Sequence, residues 1–299
     1  MSRADDQGMQ HMARQDGNPA MKTSRSRCLP GVSLAGALAC AVAGAHAAEA
    51  AAPAAIDHQA ELARKLANPV ASLISVPLQY NYDENIGLDD KGSKSVLNVQ
   101  PVIPLSLSQD WNLIIRTIVP LIDQQDVSAR GESESGMGDI TQSFFFSPKA
   151  PVGGWILAAG PVGYYRSATD TQLGAEKWGA GPTALALKQT GPWTVGMLTN
   201  HIESFAGDDD RAEISSTFVQ PFVAYITKTK TTFSVNTEST YDWETDHWSV
   251  PVNVAVAQML KIGPQILQLQ LGARYWAESP DNGPEGWGYR MQLTLLYPK

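Results

Sequence analysis

The chain has 299 residues, 17% of them charged, with a formal net charge of −8. Beyond its N-terminal part it holds no apolar run of roughly 18 residues or more, which excludes a helical membrane protein. After Ala47, 27 acidic residues stand against 17 basic ones, a balance that repels phosphate backbones, so no nucleic acid is expected as a partner.

Met21-Lys22, Arg25 and Arg27 precede an apolar stretch from Leu29 to Ala45, closed by the small-x-small sequence Ala45-His46-Ala47. Residues 1–47 therefore read as an export signal, with Met21 as an alternative start, and the mature chain is expected to begin at Ala48. Both cysteines, Cys28 and Cys40, fall inside that signal. Lipid attachment at Cys40 is a weak reading, because Ala37-Leu38-Ala39 puts the large residue in the wrong position. A mature chain without cysteine excludes disulfide frameworks, thiolate metal sites and thiol nucleophiles.

Residues 48–72 read as a periplasmic segment. An Ala-rich leader over 48–60 is followed by a short helix from Ala60 to Ala67, with Leu62 and Leu66 on one face and Asn68-Pro69 as its stop. A free tail is the favoured reading, and a plug inside a barrel is the sharper one.

Residues 73–299 carry twelve predicted strands, near 73–81, 95–103, 111–119, 138–147, 155–164, 178–187, 193–205, 214–226, 232–242, 248–260, 266–276 and 287–297. Most have about the ten residues that a tilted strand needs to cross hydrocarbon. Several alternate cleanly: Leu267, Leu269, Leu271, Ala273 and Tyr275 share one face, with Gln268, Gln270, Gly272, Arg274 and Trp276 on the other.

Alternation alone fits a soluble sandwich as well as a membrane barrel. Three features favour the barrel. All eight tryptophans (Trp111, Trp155, Trp178, Trp193, Trp243, Trp248, Trp276 and Trp287) lie at or beside strand ends, where an indole settles at a headgroup boundary. Connectors alternate between short turns bearing Lys149, Lys188, Lys228, Lys230 and Lys261, and mostly longer loops holding 20 of the 24 acidic residues beyond residue 72. The last strand alternates Tyr289, Met291, Leu293, Leu295 and Tyr297 with Arg290, Gln292 and Thr294. Such an amphipathic end resembles the signal read by the barrel-assembly machinery, although Pro298-Lys299 follow the final aromatic. The expected fold is all-β: one closed antiparallel transmembrane barrel in an outer membrane, with short periplasmic turns and longer acidic extracellular loops. Closure matters because lipid offers no partner to an open strand edge.

With an apolar outer face, the polar residues of the other face must line the interior. The candidates are Arg116, Asp139, Asn200, Asn236, Glu238, Gln268, Gln270, Arg274, Arg290 and Gln292. They could form a solute-selecting lumen or an interior packed with Arg–carboxylate pairs. Twelve strands fall between filled eight-stranded and open sixteen-stranded barrels. His201 and Ser204 near a strand end could suggest a rim lipid hydrolase, but their spacing does not put both on one face. Asp208-Asp209-Asp210 reads as a solvated acidic loop in preference to a cation site, since consecutive acids point apart and no calcium-loop spacing surrounds them. The glycine-containing stretches 136–138 and 179–182 do not open helices, so they are not phosphate cradles. No cofactor or metal is expected.

Several segments have specific wording: Asn68-Pro69-Val70-Ala71-Ser72-Leu73, Asn98-Val99-Gln100-Pro101-Val102-Ile103-Pro104, Phe144-Phe145-Phe146-Ser147-Pro148-Lys149, Lys177-Trp178-Gly179-Ala180-Gly181-Pro182-Thr183 and Asn236-Thr237-Glu238-Ser239-Thr240-Tyr241-Asp242-Trp243. Over residues 60–299 the chain resembles a group of proteobacterial transporter-like proteins, some labelled neuromedin U. The group is allied to the outer-membrane family named for the meta-pathway of phenol degradation. That resemblance implies an outer-membrane barrel admitting small, aromatic or hydrophobic solutes; membrane lipid and, from the last strand, the assembly machinery are the expected partners. It implies no catalytic residues.

Overall fold

The computed structural model describes residues 53–87 and 89–297; the expected export signal and its expected cleavage after Ala47 lie outside the described residues. The chain opens with a helix, α1 (Pro53–Leu66). Fifteen strands follow: β1 (Ile74–Ile86), β2 (Gly92–Val99), β3 (Val102–Ser106), β4 (Trp111–Gln125), β5 (Ser133–Met137), β6 (Ile140–Pro148), β7 (Ile156–Tyr165), β8 (Lys177–Thr190), β9 (Trp193–Gly207), β10 (Ser215–Ile226), β11 (Thr231–Thr237), β12 (Ser239–Asp242), β13 (His247–Ile262), β14 (Gln265–Glu278) and β15 (Gly286–Tyr297).

Three pairs of these are single barrel strands interrupted once. β2 and β3 are separated by Gln100-Pro101, β5 and β6 by Gly138-Asp139, and β11 and β12 by Glu238. The last break has a plain cause. Glu238 donates its N–H to the Pro251 carbonyl, and Pro251 has no N–H to return. Counted as such, the barrel has twelve strands, all antiparallel, and each expected strand is present. The ring closes where β1 pairs β15, from Ile74↔Tyr297 to Tyr82↔Tyr289, and where β9 pairs β10 from Trp193↔Tyr225 to Glu203↔Ser215. No strand edge is left to face hydrocarbon.

One end carries short connectors. Gly191-Pro192 and Gly263-Pro264 are two-residue hairpin loops in which each glycine takes a positive φ (56° and 58°), as hairpins matching the sheet twist require. At the other end the strands outrun the expected boundaries. β1 continues to Ile86 and β4 to Gln125, making them 13 and 15 residues long, well beyond the roughly ten that cross a bilayer. Asp83, Glu84, Asp123, Glu134, Asp242 and Glu278, expected in loops, therefore lie on strands projecting past the apolar belt. Apolar–polar alternation fades there because outward-facing residues such as Glu84 are polar, as are inward-facing ones such as buried Asp83.

The outer wall exposes Leu121, Phe146, Leu157, Val195, Met197, Phe233, Val235, Val254, Leu271 and Met291. A continuous apolar belt of this kind is stable against acyl chains and not against water. Seven of the eight tryptophans are exposed and form two girdles. Trp111, Trp155 and Trp193 ring the short-turn end; Trp178, Trp243, Trp248 and Trp287 ring the other. Neighbouring side chains brace them: Trp193 against Tyr225, Trp287 against Tyr275, Trp248 and Trp243 against Tyr241, and Lys188 over Trp155.

Trp276 departs from the expected girdle. It follows Gln268, Gln270 and Arg274 on the inner face of β14, and its indole N–H donates to the Asp83 carboxylate at 2.8 Å.

α1 is longer than the helix read from Ala60–Ala67. Alanine is the best helix former, and Pro53 fits a first turn where its missing N–H is no loss. Lys65 bridges Glu61 at 2.7 Å one turn away, and Arg64 and Lys65 stand at the C-terminal end, where the helix dipole favours cations. The helix is no free tail. Leu62 and Ala63 are fully buried with Leu66 among Leu73, Ile226, Met259, Ile266 and Leu296, at the short-turn mouth of the barrel. The Gln189 side chain also donates to the Arg64 carbonyl at 2.9 Å.

Candidate functional site

Inside the ring lie two chambers, of about 240 Å³ toward the short-turn end and about 450 Å³ toward the other. Five residues line both: Gln79, Gln100, Arg116, Gln220 and Glu238. They mark a waist where the chambers meet. Each projects from a different strand or strand break, at positions where alternation turns the side chain inward.

Polar contacts organise the waist. Arg290, only 3% exposed, holds Glu238 with both nitrogens of its fork (Nη1–Oε1 2.8 Å, Nη2–Oε2 2.6 Å) and donates Nε–H to Asn81 at 2.7 Å. Such a bidentate pair fixes the carboxylate in position as well as neutralising it. A glutamine ladder crosses the floor: Arg116 donates to Gln100, Gln100 to Gln79, Gln79 to Gln292, and Gln292 to Thr294, at 2.9–3.2 Å. Above the waist Arg274 pairs with Asp83 at 3.3 Å and lies 4.5 Å from the Trp276 ring. Below it, Asn253 donates to Asn236 at 2.9 Å.

The lumen candidates thus divide. Arg116, Glu238, Asn236, Gln268, Gln270, Arg290 and Gln292 line the chamber bounded by α1, Arg116 and Glu238 also reach the second chamber, and Asn200 lines that second chamber alone. Arg274 faces inward but lines neither chamber. Sequence reading missed Gln79, Gln100 and Gln220. Their signal was present, since Gln79, Asn81 and Asp83 alternate with Leu78, Tyr80 and Tyr82 along β1.

Asp139 needs a correction. It lines neither chamber, because its carboxylate is fully engaged. It accepts the Tyr164 hydroxyl and the backbone N–H groups of Ser167, Ala168 and Ala175, at 2.7–3.0 Å. The residue therefore anchors the β7–β8 connector over the outer chamber, where Ala175 forms part of the wall. Arg211 clamps the next connector to it, donating to the carbonyls of Thr171 and Gly174 at 3.0 and 2.6 Å. Buried Lys177 donates to Glu213 at 2.6 Å, and Ser204 donates to the same carboxylate. The Lys177 hydrogen bond first, then that of Ser204, hold the Glu213 carboxyl below the usual carboxylate range. Asp139→Ala removes all four acceptor contacts. It is expected to destabilise the connector by about 2 kcal/mol and speed exchange of the Ser167, Ala168 and Ala175 amides about 30-fold. Unchanged exchange by NMR or mass spectrometry would dismiss the anchor.

His201 and Ser204 point to opposite faces of β9. The His201 ring meets Thr217 at 2.9 Å, whereas Ser204 is bound to Glu213 and to the backbone of Ile214. No nucleophile–base contact exists between them. In the acidic loop, Asp208 caps its own turn by accepting the Asp210 N–H at 3.0 Å. Among the described residues no group of three or more His, Cys, Asp or Glu is placed to hold a metal ion.

An outer-membrane channel from Pseudomonas putida F1 has a similar structure, at 16% identity and a TM-score of 0.60, with 76% of this chain and 96% of that one covered. Lower similarity extends to the β domain of the Bordetella autotransporter BrkA (10% identity, TM-score 0.40, 74% and 98% covered). A Pseudomonas aeruginosa FadL homologue follows (9% identity, TM-score 0.34, 77% and 92% covered). No protein-family profile and no curated protein sequence matches the chain. The first likeness shows a shared fold, the closed antiparallel barrel of an outer-membrane channel.

Proposed function

We propose that this chain is an outer-membrane channel for passive passage of small solutes with aromatic or other apolar parts, and that it is not an enzyme. The observation that carries this reading is the pair of chambers meeting at a polar waist inside a lipid-facing barrel. A barrel that served only as a structural anchor would have no use for a guanidinium left without an ion pair at its waist, as Arg116 is. The apolar side chains that line the chambers beside it (Val102, Ile118, Phe218 and Phe222) suit a solute that is partly hydrophobic. On this reading residues 1–47 are removed on export, the barrel-assembly machinery inserts the chain, and the family allied to phenol degradation is its place.

Protein that shifts in gel mobility on boiling, as a closed barrel does, is the right starting material. In planar bilayers it should give discrete conductance steps. Because α1 fills the short-turn mouth, a closed structural or adhesive barrel is the competing reading. Silent membranes over a wide voltage range, with and without α1, would establish that alternative.

A further inference from the structure

We propose that the waist is a binding site for small monocarboxylates with an apolar body, their carboxylate seated on Arg116. The proposal rests on the channel reading for its role in passage, but the site itself is defined by the geometry of the waist.

The charges at the waist do not balance. Glu238 has both oxygens on Arg290, and Asp83 is taken by Arg274 and Trp276. Arg116 makes no ion pair among the described residues. Its one protein partner is the neutral Gln100 oxygen at 2.9 Å. The other guanidinium nitrogens bond to no protein atom, yet they are not sealed off and open to the chambers. A planar fork with free donors is the geometry that binds a carboxylate bidentately. A guanidinium largely removed from bulk water, whose neighbouring carboxylate Glu238 is already held through both oxygens by Arg290, gains more from an anion than an exposed one does.

The surroundings select the rest of the ligand. Arg116 sits on β4 between inward-facing Ile114 and Ile118, opposite Val102 on β3, with Phe145 paired to Ile114. Phe218 and Phe222 on β10 flank Gln220 and line the facing wall of the chambers. A carboxylate at Arg116 therefore places its apolar body among branched and aromatic side chains, while the amide of Gln220 remains to meet any polar substituent. The outer chamber, about 450 Å³, is of ordinary size for a small-molecule site. An inorganic anion would use the charge and leave the apolar wall wet, and a cation would face the unneutralised guanidinium.

Benzoate, acetate and benzylammonium are the probes. Calorimetry on the full barrel in detergent should show benzoate binding tighter than acetate, with benzylammonium not binding. In bilayers, benzoate should interrupt the chloride current at concentrations where acetate does not. Arg116→Gln should weaken benzoate binding about 10- to 100-fold, the value of one charge-assisted contact, while Arg116→Lys retains part of it. Heat-modifiable mobility of each variant confirms that it is folded. Equal affinity for benzoate and benzylammonium, or undiminished benzoate binding by Arg116→Gln, overturns the site. Benzoate binding in a barrel that never conducts overturns the channel reading and leaves the site standing; conduction without benzoate preference does the reverse.

Discussion

Replacing Glu238 by glutamine is expected to destabilise the barrel by about 3 kcal/mol, although the substitution changes no shape. Glu238 is the sole carboxylate on Arg290, whose side chain is only 2% exposed. A glutamine can accept from one nitrogen of the fork, but it turns its own NH2 toward the other. The guanidinium is then left buried without a counter-charge, which is the costly half of breaking such a pair. The loss belongs at the low end of the usual 3–5 kcal/mol because Glu238 is 20% exposed to the chambers and water can replace part of what is removed. Arg290→Gln alone should cost a similar amount, and the double variant much less than the sum, since the residues act as a unit. Urea unfolding in lipid, followed by tryptophan fluorescence, provides the measurement; additive losses would mean that the two side chains are not coupled.

The same substitution should alter permeation. Arg290 and Glu238 cancel, so the waist carries the single charge of Arg116. Removing the carboxylate doubles that charge, and a narrow passage with more fixed positive charge favours anions. In a potassium chloride gradient the reversal potential of Glu238→Gln should move toward the chloride equilibrium value. No movement would place ion passage elsewhere than the waist.

Deleting residues 53–69, which contain α1, is expected to raise single-channel conductance several-fold. The helix occupies the short-turn mouth with Leu62 and Ala63 fully buried. One opposing effect must be weighed. Removing the helix bares Ile226, Met259, Ile266 and Leu296, and an apolar collar can block ions by shedding water. A second variant, the deletion combined with Met259→Gln, wets that collar. Leu62→Glu in the full chain should reproduce much of the gain, because a charge at a fully buried position cannot stay docked. Conductance unchanged in all three would mean that the mouth is not the narrowest point.

The strands were legible because lipid outside and water inside impose a period of two on every crossing segment. The same alternation placed Trp276 beside Arg274 on the inner face, and its position at a strand end suggested a girdle role that the inner-face contact to Asp83 overrides. Facing alone did not tell what a side chain meets. Asp139 lies on a polar-facing position, yet a connector 28 to 36 residues downstream consumes its carboxylate. The projecting ends of β1 and β4 read as loops in the sequence because a ladder past the lipid has no apolar outer face to betray it. For α1, Leu62 and Leu66 marked a sticky face. Where that face docks depends on the width of a mouth assembled from strands at both ends of the chain.

The seam between β1 and β15 has a consequence for how the protein comes into being. Its partners are far apart in the chain: Gln79 and Gln292, hydrogen-bonded across it, are separated by 213 positions. The ladder cannot be completed until β15 has arrived, so a polypeptide terminated before that strand keeps two raw borders. Those borders invite cross-pairing and proteolysis, which makes the integrity of the final segment a checkpoint on the whole molecule. Shortening the chain by even one crossing should reduce its yield far more than an equal excision between β7 and β8.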